Sequence, residues 1–165
     1  MIALLDANIL IDVGKAGLIK KLASLADQVP WCITREVFDE LATVPGRSLL
    51  SPHTRPSPII GTSEALLCIS LARGGPWAAL GVGESASIAA ASHDPRFEFV
   101  TWDIRASWRS LHELRGRTVV GHTWLQHLVD LGLLAAAEAD RIARADATRH
   151  HPTWWSYGRA PMTLG

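Results

Sequence analysis

Four acids stand out by position rather than number. Asp6 ends a short apolar run, Ile2-Ala-Leu-Leu5, and Asp103 ends an alternating one, Phe97-Glu-Phe-Val-Thr-Trp102. Glu40 lies on a helical stretch that follows another apolar run, and Glu84 comes directly after the glycine bend Gly81-Val-Gly83. Carboxylates gathered within a few ångströms raise one another's pKa and need a cation to stay ionised together. Oxygen ligands of this kind suit Mg2+ or Mn2+, and two such ions can orient a water, lower its pKa and stabilise the charge that develops on a phosphodiester. If folding brings the four together, Asp6, Glu40, Glu84 and Asp103 are both the metal-holding and the catalytic candidates. Asn8, two residues beyond Asp6, and Thr101, two before Asp103, are supporting candidates that could orient a carboxylate or meet a phosphate. Each acid also has a plainer reading. Asp6 and Asp103 can be helix N-caps, Glu84 can complement a helix N-terminus, and Glu40 can share a solvated face with Glu36 and Asp39. The spacing leaves Glu36, Asp39 and Glu40 all eligible to face the cluster.

The elements that must position these acids follow from periodicity. Ile2 to Leu5 reads as a buried strand, and the apolar positions Ile9, Leu10, Val13, Leu18, Leu22 and Leu25 predict one helix or two short ones. A second strand is expected over Gln28 to Ile33, then a helix from Arg35 to Ala42 capped by Thr34. Prolines 45, 52, 56 and 58 with Gly46 and Gly61 predict a loop over 44–61, long enough to be a flap over a site. Helices are expected over 63–73 and from Glu84 to about Ser92, a third strand over 97–102, a helix over 104–115, a fourth strand over 117–120 and two closing helices over 122–134 and 135–147. Strands alternating with helices predict an α/β fold with a mostly parallel central sheet. In such a sheet ligands bind at the carboxyl ends of the strands, where Asp6 and Asp103 fall.

Composition narrows the possibilities. The 165 residues, 48% hydrophobic, suit one core. Net charge is zero, so any nucleic-acid contact must come from a local patch. Up to Asp103 there are eight basic against eleven acidic residues, and beyond it eight against five. The apolar stretches are too short for a membrane span, and Met1 leads into the first strand without the pattern of a secretory signal, so a cytoplasmic protein is expected. Cys32 and Cys68 lack metal or redox spacing and read as buried thiols.

In these contexts the residues resemble the PIN-domain superfamily and, within it, the VapC-like toxins and their close relatives. Leu4-Leu-Asp-Ala-Asn-Ile-Leu-Ile11 resembles the opening strand and first acid, and Ile33-Thr-Arg-Glu-Val-Phe-Asp-Glu-Leu41 resembles the second segment, with its acid at Glu40. Leu80-Gly-Val-Gly-Glu-Ser-Ala-Ser-Ile-Ala-Ala90 is similar to the glycine–glutamate helix start, Phe99-Val-Thr-Trp-Asp-Ile-Arg-Ala106 to the strand ending in the last acid, and Val119 to Leu134 to the closing strand and helix. The resemblance implies a three-layer PIN-like sandwich over 1–147 and a four-acid centre at Asp6, Glu40, Glu84 and Asp103 using Mg2+ or Mn2+. It also implies cleavage of single-stranded RNA, a homodimer and a cognate antitoxin. The Pro-rich insert at 44–61 and the aromatic and basic tail at 148–165 fall outside the shared pattern.

Three further readings accompany this one. Gly81, Gly83 and Asp103 imitate a dinucleotide-binding fingerprint, although Glu84 would put negative charge where a pyrophosphate must sit. A PIN-like fold could also be catalytically silent and serve as a binding or scaffold protein. Finally, Arg105, Arg109, Arg115 and Arg117, with Arg149, His150, Trp154, Trp155, Tyr157 and Arg159 in the tail, offer phosphate-neutralising and base-stacking groups for a single strand. Trp154 and Trp155 can equally dock in a hydrophobic groove. The histidines are poorly spaced for a zinc site.

Overall fold

The computed structural model describes residues 1–74 and 79–146. Five strands, β1 (Ile2–Leu5), β2 (Trp31–Thr34), β3 (Thr54–Arg55), β4 (Phe97–Thr101) and β5 (Thr118–Val120), form one sheet in the order β3-β2-β1-β4-β5. Every pairing is parallel. The helices are α1 (Ala7–Lys15), α2 (Ile19–Ser24), α3 (Arg35–Glu40), α4 (Ser63–Arg73), α5 (Val82–His93), α6 (Ile104–Leu114), α7 (Gly121–Asp130) and α8 (Ala136–Ala143). The fold is α/β, a three-layer sandwich of helices on both faces of a parallel sheet.

Alternation along the strands builds the layers, because successive side chains of a strand point to opposite faces. From β1, Ala3 and Leu5 enter one core with Ile9, Leu10, Val13, Trp124, Leu125 and Ile142. Leu4 enters the other with Leu71, Ile88 and Leu114. Strand β4 divides in the same way, Val100 to the first core and Phe97 and Phe99 to the second. Both faces being buried is why β1 reads as an apolar run. Helix α5 joins the second core through Ile88, Ala90 and Ala91, and its alanines 86, 89, 90 and 91 are all buried, small side chains that let neighbouring elements come close.

The stretch 44–61 departs from the expected free flap. It holds a 3-10 turn (Arg47–His53) and the two-residue strand β3, which pairs Thr54 with Ile33 and Arg55 with Thr34. Leu50 is fully buried and Val44 joins the first core. Strand β2 would otherwise present an open edge, and covering it is a stronger demand than the turn propensity of the prolines. Pro56, which lacks an amide hydrogen, follows where β3 stops. Smaller differences are that β2 starts at Trp31 rather than Gln28, and that α5 starts at Val82, with Gly81 as N-cap.

Candidate functional site

The strand order places the topological switch between β1 and β4. From β1 the chain runs outward through β2 to β3, then crosses back to β4 on the far side of β1. The crevice beyond the carboxyl ends of those two strands is where an open α/β sheet binds its ligand. The register sets Leu5 opposite Val100, and the amide of Asp6 donates to Val100 O at 3.0 Å, so Asp6 lies level with Thr101.

Asp6 is the N-cap of α1 and is 1% exposed. Its Oδ1 accepts from the Ala7 amide at 2.7 Å, and its Oδ2 accepts from the Thr101 hydroxyl at 2.7 Å and, more weakly, from Asn8 Nδ2 at 3.4 Å. Thr101 also accepts from the Asp103 amide at 3.0 Å, so one buried hydroxyl ties the two aspartate positions together. Asp103 is the N-cap of α6, its Oδ1 accepting from the amides of Arg105 (2.7 Å) and Ala106 (3.0 Å).

The two glutamates meet at the start of α5. Glu84 turns back so that Oε2 accepts from the Gly81 amide at 2.9 Å. Glu40, at the last turn of α3, reaches across so that Oε1 accepts from the Gly83 amide at 2.8 Å. A Cβ on Gly83 would stand 2.7 Å from that oxygen and 2.9 Å from Val37 Cγ2, so only glycine allows the approach. Sequence reasoning did not assign Gly83 this seat, and its place one residue before the glutamate is the signal that was present.

Burial pushes the Asp6 carboxyl up to about 7. The Thr101 hydroxyl and the Ala7 amide pull it down, and the charges of Glu84 and then Glu40 add to the rise. Burial likewise raises Glu84 above its ordinary value, countered by the Gly81 amide and Arg105, and reinforced by Asp103 and Glu40. The four acids therefore share one edge and feel one another's charge. Of the acids around Glu40, Asp39 is turned away into ion pairs with Arg35 (3.1 Å) and Arg47 (3.4 Å). Glu36 lies where its charge bears on Cys68 of α4.

Sharing an edge is less than forming a ligand shell. Among the described residues, no three His, Cys, Asp or Glu side chains stand close enough to hold a metal ion. Each of the four carboxylates instead satisfies a backbone amide at a helix start, the plainer reading that the sequence also allowed for Asp6, Glu84 and Asp103, whereas Glu40 leaves the solvated face expected of it to reach Gly83. The donor set is right for a hard divalent cation, and the unneutralised charge on Asp6 and Glu84 is what such an ion would relieve.

The basic candidates fare differently. Arg105 is 67% exposed beside Asp103, its guanidinium 3.6 Å from Oδ2. Arg109 pairs with Glu113 at 3.0 Å and is only 14% exposed. Arg117 turns inward, its Nη1 donating to the carbonyls of Ala91 (2.6 Å) and Phe97 (2.7 Å), so it closes the end of α5 and is not a free phosphate-binding group. Trp154, Trp155 and Arg159, with the rest of the tail, lie outside the described residues. The Gly81–Gly83 bend is preceded by α4, with no strand at Ala79 or Leu80, and a carboxylate already occupies its helix start, unlike a dinucleotide fingerprint.

No protein-family model, curated protein or solved structure matches the chain. Among the described residues no helix is long and apolar enough to cross a membrane.

Proposed function

We propose that the chain is a divalent-metal-dependent endoribonuclease that hydrolyses phosphodiester bonds of single-stranded RNA, as the toxin of a toxin–antitoxin pair. One observation carries the reading. At the switch point of the sheet, burial, reinforced by the charges of Glu84 and Glu40, lifts the Asp6 carboxyl to about 7, and Asp103 and Glu40 in turn help to raise Glu84. A fold keeps so costly a charge cluster where an ion or a reaction uses it.

Asp6, Asp103, Glu84 and Glu40 would hold Mg2+ or Mn2+. Such an ion, when bound, supplies Lewis-acid stabilisation of phosphoryl charge and a lowered pKa for the attacking water. The chain's own residues do the positioning. Thr101 fixes the Asp6 rotamer through its hydroxyl and holds the Asp103 backbone through the same oxygen. Asn8 steadies Asp6 Oδ2. The exposed guanidinium of Arg105 is placed to meet a phosphate arriving at Asp103. A homodimer, a cognate antitoxin and a cytoplasmic location belong to the same proposal.

The second reading, a catalytically silent PIN-like binding or scaffold protein, is favoured by the capping hydrogen bonds that all four carboxylates already make. Cleavage of a mixed single-stranded RNA panel with and without Mn2+ separates the two. The nuclease reading expects Mn2+-dependent products from the native chain and their loss in Asp6→Asn and Asp103→Asn. Products that are equal in all three proteins, or absent from the native one, leave the silent reading.

A further inference from the structure

At the opposite end of α5 a second pair of chemically competent side chains meets. His93 closes α5, nine residues past Glu84 and so about 14 Å along the helix from the carboxylate edge. Ser63 is the first residue of α4. Ser63 Oγ lies 2.8 Å from His93 Nε2, and His93 Nδ1 lies 3.1 Å from the Ala89 carbonyl oxygen. A carbonyl only accepts, so Nδ1 carries the proton, and in the neutral ring Nε2 is left to accept from the serine hydroxyl. That is the arrangement of a nucleophile and its base, with the base oriented by a third group. Here the orienting group is a backbone carbonyl. The neighbouring carboxylate, Asp94, is engaged by Arg96 at 2.7 Å.

Two more features suit the pair to acyl chemistry. The amides of Ser63 and Glu64 have no acceptor among the described residues, since the bonds at this turn run from Thr62 N to Ile59 O, Ala65 N to Thr62 Oγ1 and Leu66 N to Thr62 O. In known acyl-transfer sites the amide of the nucleophile itself, or that of the residue after it, is one of the donors that stabilise an oxyanion. Around the serine, Ile59, Ile60 and Leu66 are exposed by 77%, 96% and 62%, which gives an aliphatic chain something to lie against.

We propose that Ser63 and His93 form a nucleophile–base pair, separate from the carboxylate edge, that accepts an acyl group from small activated aliphatic esters. Ser63 Oγ forms a bond to the ester carbonyl carbon as its proton passes to His93 Nε2. The carbon–alkoxide bond breaks and the departing oxygen takes that proton. Water, deprotonated by the same nitrogen, then releases the acid and restores the serine. No further reactant is needed.

The full chain incubated with p-nitrophenyl butyrate tests this by nitrophenolate release and by mass mapping of the adduct. One butyryl group on Ser63 is expected, abolished in Ser63→Ala and slowed about 10²-fold or more in His93→Gln. Asp6→Asn should label like the native chain, which keeps this result distinct from the fate of the nuclease reading. Labelling confined to lysines, or equal rates in the native and His93→Gln proteins, overturns the proposal. Both residues are exposed, so the variants are expected to fold, and a thermal transition matching that of the native chain would show it.

Discussion

The acids at the switch point and the arginines between Arg105 and Arg117 look equally suggestive as a string of letters, and the fold treats them in opposite ways. Acids drawn from four separate segments end at one edge and disturb one another's ionisation. The arginines, close together in sequence, disperse. Of the four, Arg105 stands over Asp103, Arg109 is tied to its own helix neighbour and Arg117 is turned inward to cap α5. Proximity along the chain thus says little about a shared surface, whereas occurrence at equivalent ends of parallel strands says much, because a parallel sheet aligns those ends in space.

The largest effect that would sharpen the contrast is on cleavage. Asp6→Asn should lower Mn2+-dependent RNA cleavage by more than the ~10–100-fold that losing a group which merely orients a metal ligand costs. Thr101→Val, which removes such an orienting hydroxyl, should fall within that range while also losing stability, and single-turnover assays beside urea unfolding would read both. If Arg117 is structural, Arg117→Ala should cost about 2 kcal/mol in urea unfolding, the scale of a lost charged hydrogen bond, and leave the salt dependence of RNA binding unaltered. A changed salt slope would return Arg117 to the binding surface and break the comparison.

An effect on stability of similar size is expected from pH. Asp6 titrates at 3.8 in its ordinary state and at about 7 in the fold. Between those values the native state keeps a proton that the unfolded chain has lost, so stability is full below the lower value and declines as pH rises through the upper one. Chelator-treated protein should therefore melt lower at pH 8 than at pH 5, and Asp6→Asn should flatten that difference. A native protein that gains stability over this interval would show that the Asp6 carboxyl is not raised. The smallest effect is that of Arg105→Ala, expected to weaken RNA affinity a few-fold and to reduce the salt slope by about one, as for a single phosphate contact, in titrations at several salt concentrations.

Most of the architecture was legible. Runs such as Ile2 to Leu5, bounded by a polar cap and buried on both faces, admit few other readings, and four strands alternating with helices imply a parallel sheet. Strand β3 was not legible, because Thr54 and Arg55 have no pattern of their own and pair only because β2 leaves an edge beside them. Glu40 could not be told from Glu36 and Asp39 by spacing alone. What separates them is the position of the Gly83 amide on α5 and of Arg35 and Arg47 beside Asp39.

The sequence by itself determined, to within a few residues, where β1, β2, β4 and β5 lie and which acids follow them, since local propensity and burial pattern act over a few residues. Only the tertiary structure decided that β1 and β4 are neighbours, that Thr101 bridges Asp6 to the Asp103 backbone, and that Arg117 is consumed in closing a helix. Those outcomes depend on pairing between segments up to about a hundred residues apart, whose cost in chain entropy is repaid only by the whole assembled core.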